Sequence, residues 1–224
     1  MALNPRTVFD SFPNYLPRFV VPSDAEIEDQ FFDRKEIPKP RPGNNVALQV
    51  IREMKENIRE TISAFANTNP EGGLLVLGIS KTGEVRGINH LTDNQRNELC
   101  NIGHLLRNQS ASVRLQQCTD HDGADNRLIL VYVPPTPDAI CETIDAAPRA
   151  WKRAGAQNLP LTDRDREQLR RDKHIDNFER RSRTEYDPSA IDPALVGEIR
   201  NNWPELSGSS LSDEDLLHEL GALE

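Results

Sequence analysis

The chain is poor in cysteine, in aromatic residues and in long apolar runs. Its three cysteines, Cys100, Cys118 and Cys141, are odd in number and far apart. They suggest neither a disulfide framework nor a cysteine metal site. A reduced, cytoplasmic chain is the expectation. No apolar stretch approaches the roughly 18 residues of a membrane-crossing helix, so no membrane partner is expected. The opening "MALNPRTVFD" lacks a basic start followed by an apolar core, which argues against a secretory leader. Neither G-x-x-x-x-G-K-S/T nor a strand-to-helix G-x-G-x-x-G occurs, so nucleotide-binding loops of those types are excluded. His90, His104, His121, His174 and His218 show no paired ligand spacing, and zinc is not expected. A Gly-x-Ser-x-Gly nucleophile turn is also missing.

What is present is charge, unevenly spread. The net charge of −9 is carried by the C-terminal end, where ten acids face one base, Arg200, between Glu185 and Glu224. The preceding residues balance. Within them, 148–183 holds eleven bases against six acids, a local excess of five. A low overall charge therefore leaves room for a basic surface, because a partner feels the local field.

Within the first 22 residues, "FDSFPNYLPRFVVP" holds three prolines among scattered aromatics and reads as an extended arm packed on a domain. Residues 25–37 read as a strand of mixed charge, and 38–45 as a proline-rich loop. From Asn44 or Asn45 as cap, apolar residues at Val50, Ile51, Met54, Ile58, Ile62 and Phe65 recur at helical spacing to about Thr68. "LLVLGIS" is a central strand, "KTGE" a hairpin-like turn and "VRGI" its return. A helix over 92–108 capped by Thr92 or Asp93, strands "SVRLQQCT" and "RLILVYVPP" around the turn "DHDGADN", and a strand "RAWKRAG" follow. A helix from Thr162 or Asp163, then two short tail helices, "DPALVGEIRNNW" and "LSDEDLLHELGAL", complete the chain. The fold class is α/β of the α+β kind: a mixed, mostly antiparallel sheet flanked by helices, with a short helical C-terminal tail. The domain plan is an arm (1–22), a central domain (23–183) and an acidic tail (184–224) that could open a further domain.

Gly72, Gly73 and Gly78 admit a plain structural reading: helix termination and close backbone approach. The whole run "AFANTNPEGGLLVLGISKTGEVRGI" resembles the signature of the Schlafen AlbA_2 family. "EDQFFDRK" resembles that family's opening strand, "RLILVYVPPTP" its Val-Pro strand, and "RAWKRAGAQNLPLTDRDREQL" its Arg-x-Gly-Ser strand with the capped helix after it. The resemblance covers residues 23 to 175.

The resemblance implies a nucleic-acid partner, DNA or RNA. It also implies, in nuclease members, two acids of the opening strand and a third after the Gly-Val turn holding Mg²⁺ or Mn²⁺. Here Glu28 and Asp33 stand at the first two places as metal ligands, with Lys35 toward a phosphate; these three are the catalytic candidates. Their five-residue separation puts the two acids on opposite faces of a regular strand, so a bulge would be needed. At the third place stand Ser80 and Lys81, and the nearest acids are Glu71 and Glu84. The bland reading of Glu28, Asp33 and Lys35 is a solvated face with an ion pair.

The basic set Arg149, Lys152, Arg153, Arg164, Arg166, Arg170 and Arg171 is the electrostatic candidate for phosphate contact. Alternation puts Arg149, Trp151 and Arg153 on one strand face, where the indole could stack on a base; Arg34, Lys39 and Arg41 could extend the patch. The competing reading makes Trp151 core and pairs the helix arginines with Asp163, Asp165 and Glu167. The expected function is a nucleic-acid-binding module. Its rivals are a metal-dependent endonuclease on structured RNA or DNA, weakened by the missing acid, and a protein-interaction or homo-oligomerisation module.

Overall fold

The computed structural model describes residues 3–21, 29–40, 43, 45–137, 139–144, 148–180, 193–202 and 212. Glu28, Arg41, the candidate cap Asn44 and nearly all of "LSDEDLLHELGAL" lie outside the described residues. Two compact units are present, residues 1–174 and 175–224. The second contains a helix at Pro193–Asn202, on which Val196 is buried.

The first unit is built on a four-stranded sheet. Strands β1 (Phe32–Lys35), β2 (Gly73–Leu77), β4 (Ser112–Thr119) and β5 (Asp125–Val133) lie in the order β1-β2-β5-β4, with β3 (Leu106–Arg107) outside it. β1 runs parallel to β2, and the other pairings are antiparallel, which matches the mixed, mostly antiparallel sheet expected. Alternation along β2 and β5 sends Leu75, Leu77, Ile129, Val131 and Val133 to one face. There they meet α3 (Leu48–Thr68) through Ile51, Met54, Ile58, Ile62 and Phe65. Leu74, Val76, Leu128, Leu130 and Tyr132 face the other way.

That second face is covered by the N-terminal segment, which is helical and not extended as the prolines suggested. α1 (Pro5–Asp10) and α2 (Phe12–Phe19) carry their first prolines in the first turn, where the missing N–H is harmless. Asn4 caps α1 by accepting from the N–H groups of Arg6 (2.9 Å) and Thr7 (3.1 Å). Phe9, Phe12 and Phe19 are buried with Phe32, and the Phe12 and Phe19 rings sit 5.1 Å apart.

Other elements differ locally from the sequence reading. β1 is only four residues long. α3 begins after Ala47 without a side-chain cap. "VRGI" does not return as a strand: Ile79 and Val85 share one isolated bridge, and the N–H groups of Arg86 and Gly87 both donate to Gly78 O. The next two N–H groups, of Ile88 and Asn89, go to Asn126 Oδ1. α4 (Asp93–Cys100) has the full reciprocal cap of Thr92 and Gln95, and the chain then tightens into a 3₁₀ turn. After β6 (Glu142–Thr143), a hairpin of β7 (Trp151–Ala154) and β8 (Gln157–Pro160) packs on α3 and leads into α5 (Asp163–Arg180).

The double glycine is explained by packing. A Cβ on Gly73 would lie 2.1 Å from the Phe65 ring, and one on Gly72 would lie 2.0 Å from Val133 O, at a φ of +72°. Helix α3 can therefore turn straight into the central strand only with two residues lacking a side chain.

Candidate nucleic-acid interface

The signature helix α3 positions the candidate residues with a polar seam on its otherwise apolar face. Ser63 Oγ donates to Cys141 O (2.9 Å) and accepts from Trp151 N (3.2 Å). Asn67 Nδ2 donates to Cys141 O (2.9 Å) and Trp151 O (3.0 Å), while Asn67 Oδ1 accepts from Cys141 N (2.8 Å). Thr68 Oγ1 accepts from Arg153 N (2.8 Å). Asn67 and Thr68 end the quoted "AFANT" run. They fasten the 141–153 segment to α3, which satisfies buried backbone groups that no sheet ladder reaches.

Beneath this seam lies the Asp33 cluster. Asp33 and Lys35 share the α3 face of β1, two residues apart, and Lys35 Nζ is 3.2 Å from Asp33 Oδ2. Arg153 comes in from β7 with its Nη1 3.5 Å from the same oxygen. Arg153 also donates to Asn158 Oδ1 (2.8 Å), Asp29 O (3.1 Å) and Phe32 O (3.4 Å), and its guanidinium lies 5.2 Å from the Phe65 ring centre. Asn158 Nδ2 in turn donates to Thr61 Oγ1 (2.9 Å). The side chains of Asp33 and Arg153 are 4% and 1% exposed, so this is a buried pair, with Lys35 at its rim.

These placements correct several expectations. Arg153 and Trp151 are buried, at 4% and 5% exposure, and present neither a phosphate contact nor a stacking face to solvent. Arg34, also buried, donates to Phe19 O (2.7 Å), Val21 O (2.9 Å) and Lys81 O (2.9 Å), and so ties the N-terminal helices to the Ser80–Val85 turn. Alternation did put Trp151 and Arg153 on one face, but that face is the core side. Arg149 precedes the strand and stays exposed, with its guanidinium 5.0 Å from the Trp151 ring centre.

A divalent ion finds no fitting donor set among the described residues near Asp33. One carboxylate there already faces two cations, which occupy the electrostatic place an ion would take. Glu71 accepts from Asn4, and Glu84 pairs with Arg86. Ser80 Oγ is paired with Thr82 Oγ1 and accepts from Glu84 N. Asp120, His121 and Asp122 form a separate group in the β4–β5 turn. There Asp120 accepts from the N–H groups of Asp122 and Ala124 and from Asn126 Nδ2, which is turn scaffolding. Burial raises the Cys118 and Cys141 thiols to about 11 and about 12, and both stay protonated near neutrality.

The remaining cations gather around the β7–β8 hairpin and α5. Arg149 reaches Glu56 of α3 (3.3 Å), Lys152 reaches Asp165 of α5 (2.6 Å), and Arg166 reaches Glu142 of β6 (2.5 Å). These three links place parts of α3, β6, β7 and α5 on one continuous surface. Arg171 pairs loosely with Glu167 at 3.5 Å, and Arg164 and Arg170 are exposed with no ion pair among the described residues. Lys39, at the other end of β1, is 3.7 Å from Asp122, away from this surface. The Lys152 ammonium, then the Thr162 N–H, hold the Asp165 carboxyl down at about 2. The residues that sequence reasoning missed are Ser63, Asn67, Thr68 and Asn158. For Ser63, Asn67 and Thr68 the signal was polar residues at helical spacing beside an apolar face; Asn158, on β8, had none.

None of the curated proteins matches the chain. Among solved structures, the DIP2311 protein from Corynebacterium diphtheriae aligns at 24% identity with a TM-score of 0.42; the match covers 87% of this chain and 37% of that one. The chain thus spans well under half the length of that protein. The model of the family Schlafen, AlbA_2 matches residues 28–162, more than half of the 224 and all of the sheet, the polar seam and the β7–β8 hairpin, and the chain belongs to the Schlafen AlbA_2 family.

Proposed function

We propose that this protein binds nucleic acid through phosphate contacts made by Arg149, Lys152, Arg164, Arg166, Arg170 and Arg171. The observation that carries the reading is the bridging of β6, β7, α3 and α5 into one surface on which these cations are exposed or at its edge. The Arg149 and Arg171 pairs are exposed and contribute about 0–1 kcal/mol, so a phosphate can replace the carboxylate at little loss, whereas the half-buried Lys152–Asp165 and Arg166–Glu142 pairs hold their cations more firmly at the rim. Trp151 belongs to the core beneath this surface, and Arg149 over its ring is the outermost part of that unit. Among the described residues no recognition helix or ribbon projects from the surface, so recognition rests on the backbone charge of the nucleic acid and not on base edges.

The buried Asp33–Arg153 pair supports binding without metal. A carboxylate neutralised by two protein cations is a brace for the hairpin that carries Lys152, and Lys35 is part of that brace.

The test is anisotropy with labelled duplex DNA, single-stranded DNA and structured RNA over a salt series. Lys152→Ala with Arg170→Ala is expected to weaken binding to every sequence alike. On duplex DNA it should flatten the log K against log salt slope by roughly 0.9 for each phosphate that is no longer neutralised. An unchanged slope in a folded variant refutes the assignment.

A further inference from the structure

The two edges of the sheet are treated differently. On the β1 edge, the outward carbonyl of Phe32 accepts from Asp29 N (3.1 Å) and Arg153 Nη2 (3.4 Å). The β4 edge is met by another element only at its start, where Ala111 N donates to Gly103 O (3.1 Å); no main-chain hydrogen bond from another element reaches the outward groups of Val113 to Thr119 among the described residues.

The direction of every β4 backbone group follows from the ladder. Leu74 N donates to Phe31 O and Gly78 N to Lys35 O, so the even residues of β2 bond to β1. Its odd residues, Gly73, Leu75 and Leu77, therefore bond to their opposites on β5, namely Val133, Val131 and Ile129. That leaves Tyr132, Leu130, Leu128 and Asn126 to bond to Ser112, Arg114, Gln116 and Cys118. Val113, Leu115, Gln117 and Thr119 consequently aim their N–H and C=O groups away from the sheet. A separate contact agrees: Gln116 Nε2 bends round to Gln117 O at 3.0 Å, filling one outward carbonyl with a side chain.

Natural sheets blunt such an edge with lysine, proline, a bulge or brevity. β4 has none of these. It is eight residues long, pairs with β5 without a break in register, and contains no lysine or proline. Its one charge, Arg114, is drawn back over the Phe9 ring at 4.8 Å. Leu115 is 41% exposed on it.

We infer that β4 is a docking edge for a second copy of this chain, joined antiparallel across a two-fold axis at Gln116. Two-fold symmetry makes the pairing antiparallel, and the parity of the outward groups fixes its register. Val113 stands opposite Thr119 of the second copy, Leu115 opposite Gln117, and Gln116 opposite itself. All four outward residues then find partners, giving about eight main-chain hydrogen bonds. The charges are compatible, because Arg114 faces Cys118 of the second copy and not its own equivalent. The Gln116 amide, which covers Gln117 O in the single chain, is released to pair across the axis. The two sheets join into one of eight strands.

Light scattering of the full chain across a wide concentration range tests this. The wild type is expected to reach twice the chain mass of 25.3 kDa. Gln117→Pro removes an outward donor while leaving the β4–β5 ladder intact, and Leu115→Lys adds a charge at an exposed edge position. Both are expected to stay at the single-chain mass, with circular dichroism and urea unfolding showing that they fold. A wild type that stays single at every concentration overturns the inference, since another partner or another part of the chain then covers the edge. A dimer that survives both substitutions overturns it as well.

Discussion

Replacing Asp33 by alanine separates a structural carboxylate from a metal-binding one by the sign of its effect on stability. A carboxylate kept in a core for a ligand it lacks is a liability, and its removal is neutral or stabilising. The geometry here gives the opposite. Asp33 Oδ2 lies 3.5 Å from a guanidinium that is 1% exposed, and removing one partner of such a buried pair costs about 3–5 kcal/mol. Two features pull the value toward the lower end. Arg153 keeps three other acceptors, at Asn158, Asp29 and Phe32. Lys35, 27% exposed, can turn to water and contributes little. The expected loss is therefore about 3 kcal/mol for Asp33→Ala, read as a shift of the urea midpoint at unchanged slope. The double variant Asp33→Ala with Arg153→Met removes the stranded cation and should recover part of that loss. An Asp33→Ala protein as stable as the wild type, or more so, refutes the reasoning.

Three further predictions concern the seam, the glycine turn and the surface pair. Asn67→Ala strands the buried Cys141 N–H and reduces the bonding of two carbonyls; it should lower stability by about 2–4 kcal/mol in urea unfolding, at roughly 1–3 kcal/mol per orphaned buried group. Gly73→Ala drives a methyl into the Phe65 ring and should cost at least about 1–3 kcal/mol, and Phe65→Leu in the same chain should relieve part of it. The Asp165 carboxyl should titrate at about 2 when followed by NMR, against its ordinary 3.8. Because that value is depressed on folding, the stabilising effect is complete above about 3.8 and is lost as pH falls through about 2. Lys152→Ala should return the titration toward the ordinary value.

The sheet, the long helix and the β4–β5 pair were legible because each has a period and a bounded turn. Val113 to Thr119 and Arg127 to Val133 flank a turn closed by Asp120 and Gly123. The N-terminal helices were not legible. Proline counts against a helix except in its first turn, and without a fixed start the positions of Pro5 and Pro13 had no frame. The site was half legible for a related reason. Alternation assigned Trp151 and Arg153 to one face correctly, yet it cannot say which face is core. That is decided by Asp33, far away in sequence, which gives the guanidinium an internal partner. The burial of Trp151 and the pairing of Arg171 with Glu167 follow the bland alternative for the basic stretch, while Arg164 and Arg170 keep their charge exposed. Helix α3 hid its seam because Ser63 and Asn67 look like ordinary polar positions until the 141–153 segment is laid against them.

The most direct measurement incubates the full chain with labelled structured RNA and duplex DNA, once with Mn²⁺ and once with EDTA, and scores mobility shift and cleavage together. The account predicts a salt-sensitive shift of equal strength in both conditions, with intact nucleic acid. Cleavage that needs Mn²⁺ and disappears in a folded Asp33→Asn variant would contradict it, as would the absence of any shift at low salt.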